Sequence, residues 1–205
     1  MSDQSQNASG QVPAVTPVQP PVPTQAVPAA TPPHATTPQS IGQFLSDLAS
    51  VIPGFAGYKA VEDRRNSDKQ LRATIGEHLT KVKDRLDAVV DSLTRQGRLD
   101  SLALIDQSGR RLERLIDRMR FADYGYSAVF DRVQLGEPEL ARLYEYDASI
   151  MHDLGAFDDA ATEVESSTSD VAKLGAALTK LDDVTAEFDR RFEARKHLLD
   201  GLPTA

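Results

Sequence analysis

The sequence predicts an all-α fold: an antiparallel bundle of about four long helices with a short leading helix, preceded by a disordered proline-rich arm. Three observations predict it. Nine of the twelve prolines fall before Ser40. Only one charged residue, Asp3, precedes Asp47. Beyond that point apolar residues recur every three or four positions through four long stretches, and none alternates β-branched residues at the strand period. The expected division is an arm over 1–39 and a helical bundle over 40–202.

The arm repeats Pro, Val, Ala, Thr and Gln. Proline fixes φ and removes the amide donor, so neither helix nor sheet can run through it. Too few large apolar side chains are present to offset the entropy of ordering. A semi-extended, polyproline-like spacer is expected, with residues 18–23 (VQPPVP) as a candidate ligand for a proline-reading groove.

Each helix carries its own signals. Ser40 and Gln43 match a capping box. Ile41, Phe44, Leu45, Leu48, Val51 and Ile52 then share a face, and Pro53-Gly54 suits a type II turn. A second helix is predicted from about Lys59 to Gln96, with a heptad seam of Leu71, Ile75, Leu79, Val82, Leu86, Val89 and Leu93 and Gly97 placed to end it. A third starts near Arg98 on Leu102, Ile105, Gly109, Leu112, Ile116 and Met119, with Gly109 expected to admit a neighbouring backbone. Its pattern continues through Tyr126 to Val133, until Gly136 and Pro138 break it. A fourth opens on Pro138 between Glu137 and Glu139, which suit the positive end of a helix, and buries Leu140, Leu143, Ile150, Leu154, Phe157 and Val164. A fifth follows Asp170, with Val171, Leu174, Leu178, Leu181, Val184, Phe188 and Phe192 on one side.

Composition narrows the function classes. There is no cysteine, so no disulfide framework, thiolate metal site or cysteine nucleophile. No run of 18 apolar residues suggests a transmembrane helix, and the N-terminus lacks the pattern of a secretory signal. A cytoplasmic location is expected. The net charge of −8 argues against nucleic-acid binding. The charge is unevenly spread: Lys59 to Arg120 holds 15 basic and 11 acidic residues, and Phe121 to Ala205 holds 8 basic and 18 acidic. Pairing of the two halves on folding is the expected use of that asymmetry.

No catalytic signature stands out, and no enzyme activity is expected. His34, His78, His152 and His197 do not pair at helical spacing, and Glu193 lies four residues before His197, not three. No glycine-rich phosphate loop precedes a Lys-Ser/Thr pair. Neither a metal nor a cofactor is expected. The unusual local features are aromatic. Phe55 and Tyr58 sit in a glycine-rich turn, and Tyr124, Tyr126 and Phe130 surround Gly125. A helical hairpin would bring these clusters to one end, either as a packed plug or as a binding site rimmed by Arg64, Arg65, Arg118, Arg120, Asp123 and Asp131. A basic stripe of Arg110, Arg111, Arg114 and Arg118 would face either anionic lipid or the acidic fourth and fifth helices, with the internal pairing favoured.

Residues 52–65 (IPGFAGYKAVEDRR) and 124–131 (YGYSAVFD) resemble a poorly characterised family of bacterial all-helical proteins with an IPGxxGY…RR opening and a YGYxxxFD segment. The resemblance spans about residues 50–155. It implies a bacterial cytoplasmic protein and carries no catalytic residue. It also implies that the two aromatic clusters form one feature.

The leading expectation is a non-enzymatic scaffold or adaptor that binds another protein and is open to self-association. The alternatives are a peripheral stress protein touching anionic lipid through a basic face, and a ligand binder or enzyme at the aromatic end. The candidate interaction residues are Phe55, Tyr58, Arg64, Arg65, Arg111, Arg114, Arg118, Tyr124, Tyr126 and Phe130.

Overall fold

In a computed structural model of the chain, the described residues are 41–121 and 135–200. They form five α-helices and no strand. The helices are α1 (Ile41–Val51), α2 (Val61–Arg95), α3 (Leu102–Phe121), α4 (Glu137–Ser166) and α5 (Val171–Asp200), with a 3-10 turn at Leu99–Ser101. The arm and the predicted continuation of α3 lie outside the described residues, as does Ser40 of the capping box.

Local chemistry sets the ends. Phe55 donates its amide to the Ile52 carbonyl across Pro53-Gly54, with Gly54 at φ +75, the positive φ a type II turn needs. At the end of α2 the Arg98 amide bonds Leu93 and the Gly97 amide bonds Thr94, with Gly97 at φ +72. These are the paired bonds of a Schellman motif, and they reverse the chain into α3. The Asp170 carboxylate accepts the Ala172 and Lys173 amides at 2.9 and 3.2 Å, which caps α5.

All seven seam residues of α2 are buried, as are the six expected on α4. Three faces differ from the sequence pattern. On α3 the buried seam is Ile105, Ser108, Leu112, Leu115, Ile116 and Met119, so Ser108 rather than Gly109 faces the core. A Cβ built on Gly109 meets nothing within 4 Å; the glycine opens a shallow surface groove between α2 and α3 instead of admitting a backbone. On α1 and α5, Val51 and Val171, at the end and the start of their helices, are 52% and 42% exposed. Gly109→Ala is therefore expected to stabilise the chain by about 0.5–1 kcal/mol through helix propensity alone. A shift of the urea midpoint at constant slope checks it; a drop would mean the groove is closed.

Helix α1 packs on α4, α2 on α3 and α4, and α5 on α3 and α4. Polar contacts give the directions. A Cβ on Gly76 meets Met119, and further along α2 Leu86 and Val90 share a groove with Leu102 and Ile105, so α2 and α3 are antiparallel. Lys180 meets Glu163 and Arg191 meets Asp153, so α4 and α5 are antiparallel too. Between these hairpins the neighbours are parallel. Along α2 and α4, Asp68 and Asp147 share one arginine, and further on Arg85 meets Thr162 and Glu165. Along α3 and α5, Arg111 pairs with Asp182 and Arg118 with Asp189. The expected all-antiparallel arrangement is thus corrected to two antiparallel hairpins stacked side by side in parallel. The heptad seams do not distinguish these arrangements, because both bury the same stripes.

Candidate functional site, a buried charge network at one end of the helices

The starts of α2 and α4 and the ends of α3 and α5 meet at one end, where the α1–α2 connection, residues 52–60, folds in. Arg195 of α5 lies at the centre, fully buried. Its Nε and Nη2 donate to the two carboxylate oxygens of Asp147 on α4 at 2.6 and 3.0 Å, a fork-on-fork pair. Its Nη1 donates to Asp68 Oδ1 on α2 at 2.6 Å. The second Asp68 oxygen accepts from Arg72 Nε at 2.9 Å, and Arg72 Nη1 donates to the Met119 carbonyl at 3.1 Å. That carbonyl belongs to the last described turn of α3. Arg195 and Arg72 thus meet two carboxylates, Asp147 and Asp68, and Arg64 is a third buried guanidinium at this end.

Tyr58 joins the connection to this network. Its hydroxyl donates to Asp147 Oδ2 at 2.6 Å and accepts from Arg195 Nη2 at 3.1 Å. The guanidinium also lies 5.9 Å from the Tyr58 ring centroid, within cation–π range. The Tyr58 amide donates to the Tyr144 hydroxyl at 2.8 Å, and its carbonyl accepts from Arg64 Nε at 3.0 Å. Ser67 Oγ donates to the Gly57 carbonyl at 2.8 Å and accepts the Ala56 amide at 3.2 Å. The rings of Tyr58 and Tyr144 stack at 5.4 Å, and Phe55 meets Tyr58 edge-on at 5.3 Å. Gly57 sits at φ +88 with a Cβ position 2.6 Å from the Tyr144 hydroxyl, so only glycine lets the backbone pass under that ring.

Burial opposes the Arg195 charge, but Asp147, with Tyr58 and Asp68, outweighs it and holds the pKa well above the ordinary value. Burial, reinforced by the Asp147 carboxylate and opposed by Arg195, pushes the Tyr58 phenol well above its usual range. Burial also raises Tyr144, against the Tyr58 amide, and Tyr146, against Arg191. Above the ordinary value of 10.0 the folded chain therefore holds more phenol protons than the unfolded chain. Stability is expected to be fully present below about pH 10 and to fall as pH rises beyond it. Urea midpoints measured across that range check this. Tyr58→Phe should flatten the fall, and an equal slope in both chains would contradict the assignment.

The sequence-predicted residues divide into groups. Phe55, Tyr58 and Arg64 are in the buried network, whereas Arg65 is exposed beside it. Arg111 and Arg118 lie on the α3–α5 face, paired with Asp182 and with Asp189 and Glu193, and Arg114 is exposed between them. Tyr124, Tyr126 and Phe130 are outside the described residues. Among the described residues, Phe55 and Tyr58 meet the Tyr144 ring. Asp68, Arg72, Tyr144, Asp147 and Arg195 were not anticipated. A signal existed: Leu143, Asp147, Ile150 and Phe188, Phe192, Arg195 run at heptad spacing, so Asp147 and Arg195 occupy seam positions. No group of three metal-ligating side chains occurs among the described residues. None of their helices is long and apolar enough to cross a membrane.

Comparisons with protein-family models, with curated proteins and with solved structures found no match.

Proposed function

We propose that the chain is a non-enzymatic helical scaffold or adaptor, a four-helix bundle with α1 laid against it, that binds another protein. The observation that carries this reading is the use of its charges. The buried cluster of ionisable groups is closed: Arg195, Asp147 and Tyr58 have no solvent exposure, and every polar atom described in them meets another protein group. Such a network fixes how helices sit rather than presenting a reactive atom to a substrate. It turns the helix faces into a rigid surface of fixed geometry, which is what a binding platform requires.

The pairing of the arginine stripe weighs against a lipid surface. Arg111 and Arg118 face carboxylates of α5 in the same chain, so little net positive field projects from α3. Affinity capture of the tagged full chain from its native cell tests the reading. A companion protein at constant stoichiometry is expected. Recovery of the bait alone, together with flotation on vesicles that contain anionic lipid but not on neutral ones, would overturn it in favour of the lipid surface.

A further inference from the structure

We propose that the α3–α5 face is a docking surface for a second copy of this chain, with α3 of each copy lying parallel over α5 of the other. The inference rests on the scaffold reading and deepens it by naming one partner. Three observations on this face point to a copy.

The first is charge. The two parallel helices border a groove of about 340 Å³ with one basic wall, Arg111, Arg114 and Arg118, and one acidic wall, Asp182 and Asp189. A two-fold axis running along the helices sets the basic wall of each copy against the acidic wall of the other. An axis across the helices would set arginine against arginine, and juxtaposed like charges are unfavourable. Arg114 is exposed and has no ion-pair partner among the described residues.

The second is register. Arg111–Asp182 and Arg118–Asp189 both span 71 residues, so each α3 residue is level with the α5 residue 71 positions on. With the axis along the helices, levels are preserved between copies. Arg114 then falls between the Asp182 and Asp189 carboxylates of the other copy.

The third is shape. Leu104, 42% exposed, lies seven residues before Arg111 on the same stripe, and its level partner is Gly175. A Cβ built on Gly175 meets nothing within 4 Å, so open space lies where the other copy's Leu104 arrives. Val171, also 42% exposed, lies one turn before Gly175 on that stripe. Between levels 102 and 121 the face is about 30 Å long and roughly two helix diameters wide, which gives ~600 Å² per copy, the low end of a standard interface.

Light scattering on a size-exclusion column, with the full chain, tests whether a pair forms, and cross-linking tests which face is used. The expected mass is near twice the 22.3 kDa of one chain. The chain has no cysteine, so introduced thiols give no background. Leu104→Cys and Gly175→Cys chains, each at an exposed or half-buried site, should form a disulfide-linked pair when co-expressed and none when expressed alone. Gly175→Leu should shift the dimer to monomer at least tenfold in concentration while the monomer keeps the helical circular dichroism of the parent chain. A monomer at all concentrations would overturn the inference, with the adaptor reading still open to its own capture test. So would a dimer that cross-links in either variant alone, or one indifferent to Gly175→Leu.

Discussion

Arg195→Met is expected to lower the unfolding free energy by about 3–5 kcal/mol, the cost of leaving buried carboxylates without their counter-charge. Asp147 would keep the Tyr58 hydroxyl but lose both guanidinium bonds, and one Asp68 oxygen would lose its partner. The methionine fills much of the same volume, so the loss would report on charge rather than on a cavity. The double variant Arg195→Met with Asp147→Leu should be more stable than the sum of the two single changes, because the orphaned carboxylate is gone. Urea unfolding at neutral pH measures all three chains. A cost below about 1 kcal/mol for Arg195→Met would show that water reaches the two carboxylates and that the network is not a closed one.

Gly57→Ala should be nearly as harmful, by about 2–5 kcal/mol, from two additive sources: a left-handed backbone that resists a side chain and an overpacked contact. The added methyl would lie 2.6 Å from the Tyr144 hydroxyl and 3.0 Å from Leu45 Cδ1. Its effect should be local first. Displacing Tyr144 breaks its bond to the Tyr58 amide and loosens the connection that carries α1. Hydrogen exchange should therefore accelerate in α1 more than in the middle of α5. Gly54→Ala is the control, since it shares the positive φ of +75 but has only the Gln70 side chain at 3.9 Å. It should cost about 1–2 kcal/mol, from backbone strain alone. Equal losses for the two variants would mean that the Tyr144 contact contributes nothing.

The helices were legible because their signals are local. The α2 seam, the Pro53-Gly54 turn, the Gly97 stop and the Pro138 start each depend on residues within a few positions, and each is where the sequence indicates. The site was half legible. Phe55 and Tyr58 stood out as aromatics in a glycine-rich turn, but their partner, Tyr144, is 86 residues from Tyr58. Asp147 and Arg195 held seam positions that a search for apolar residues passes over.

What the sequence determined by itself is therefore the helical character of the described residues, the buried stripes of α2 and α4, and the boundaries at Pro53-Gly54, Gly97 and Pro138, because periodicity and φ preference act over one or two turns. The tertiary structure alone decided that the hairpins stack in parallel and that Arg111 and Arg118 turn their charge onto α5. It also decided that Asp68, Asp147 and Arg195 meet in one dry network. The reason is physical. A helix signals its own apolar stripe. Which charge neutralises which is fixed only when helices 48 to 127 residues apart along the chain bring a guanidinium and a carboxylate out of water together.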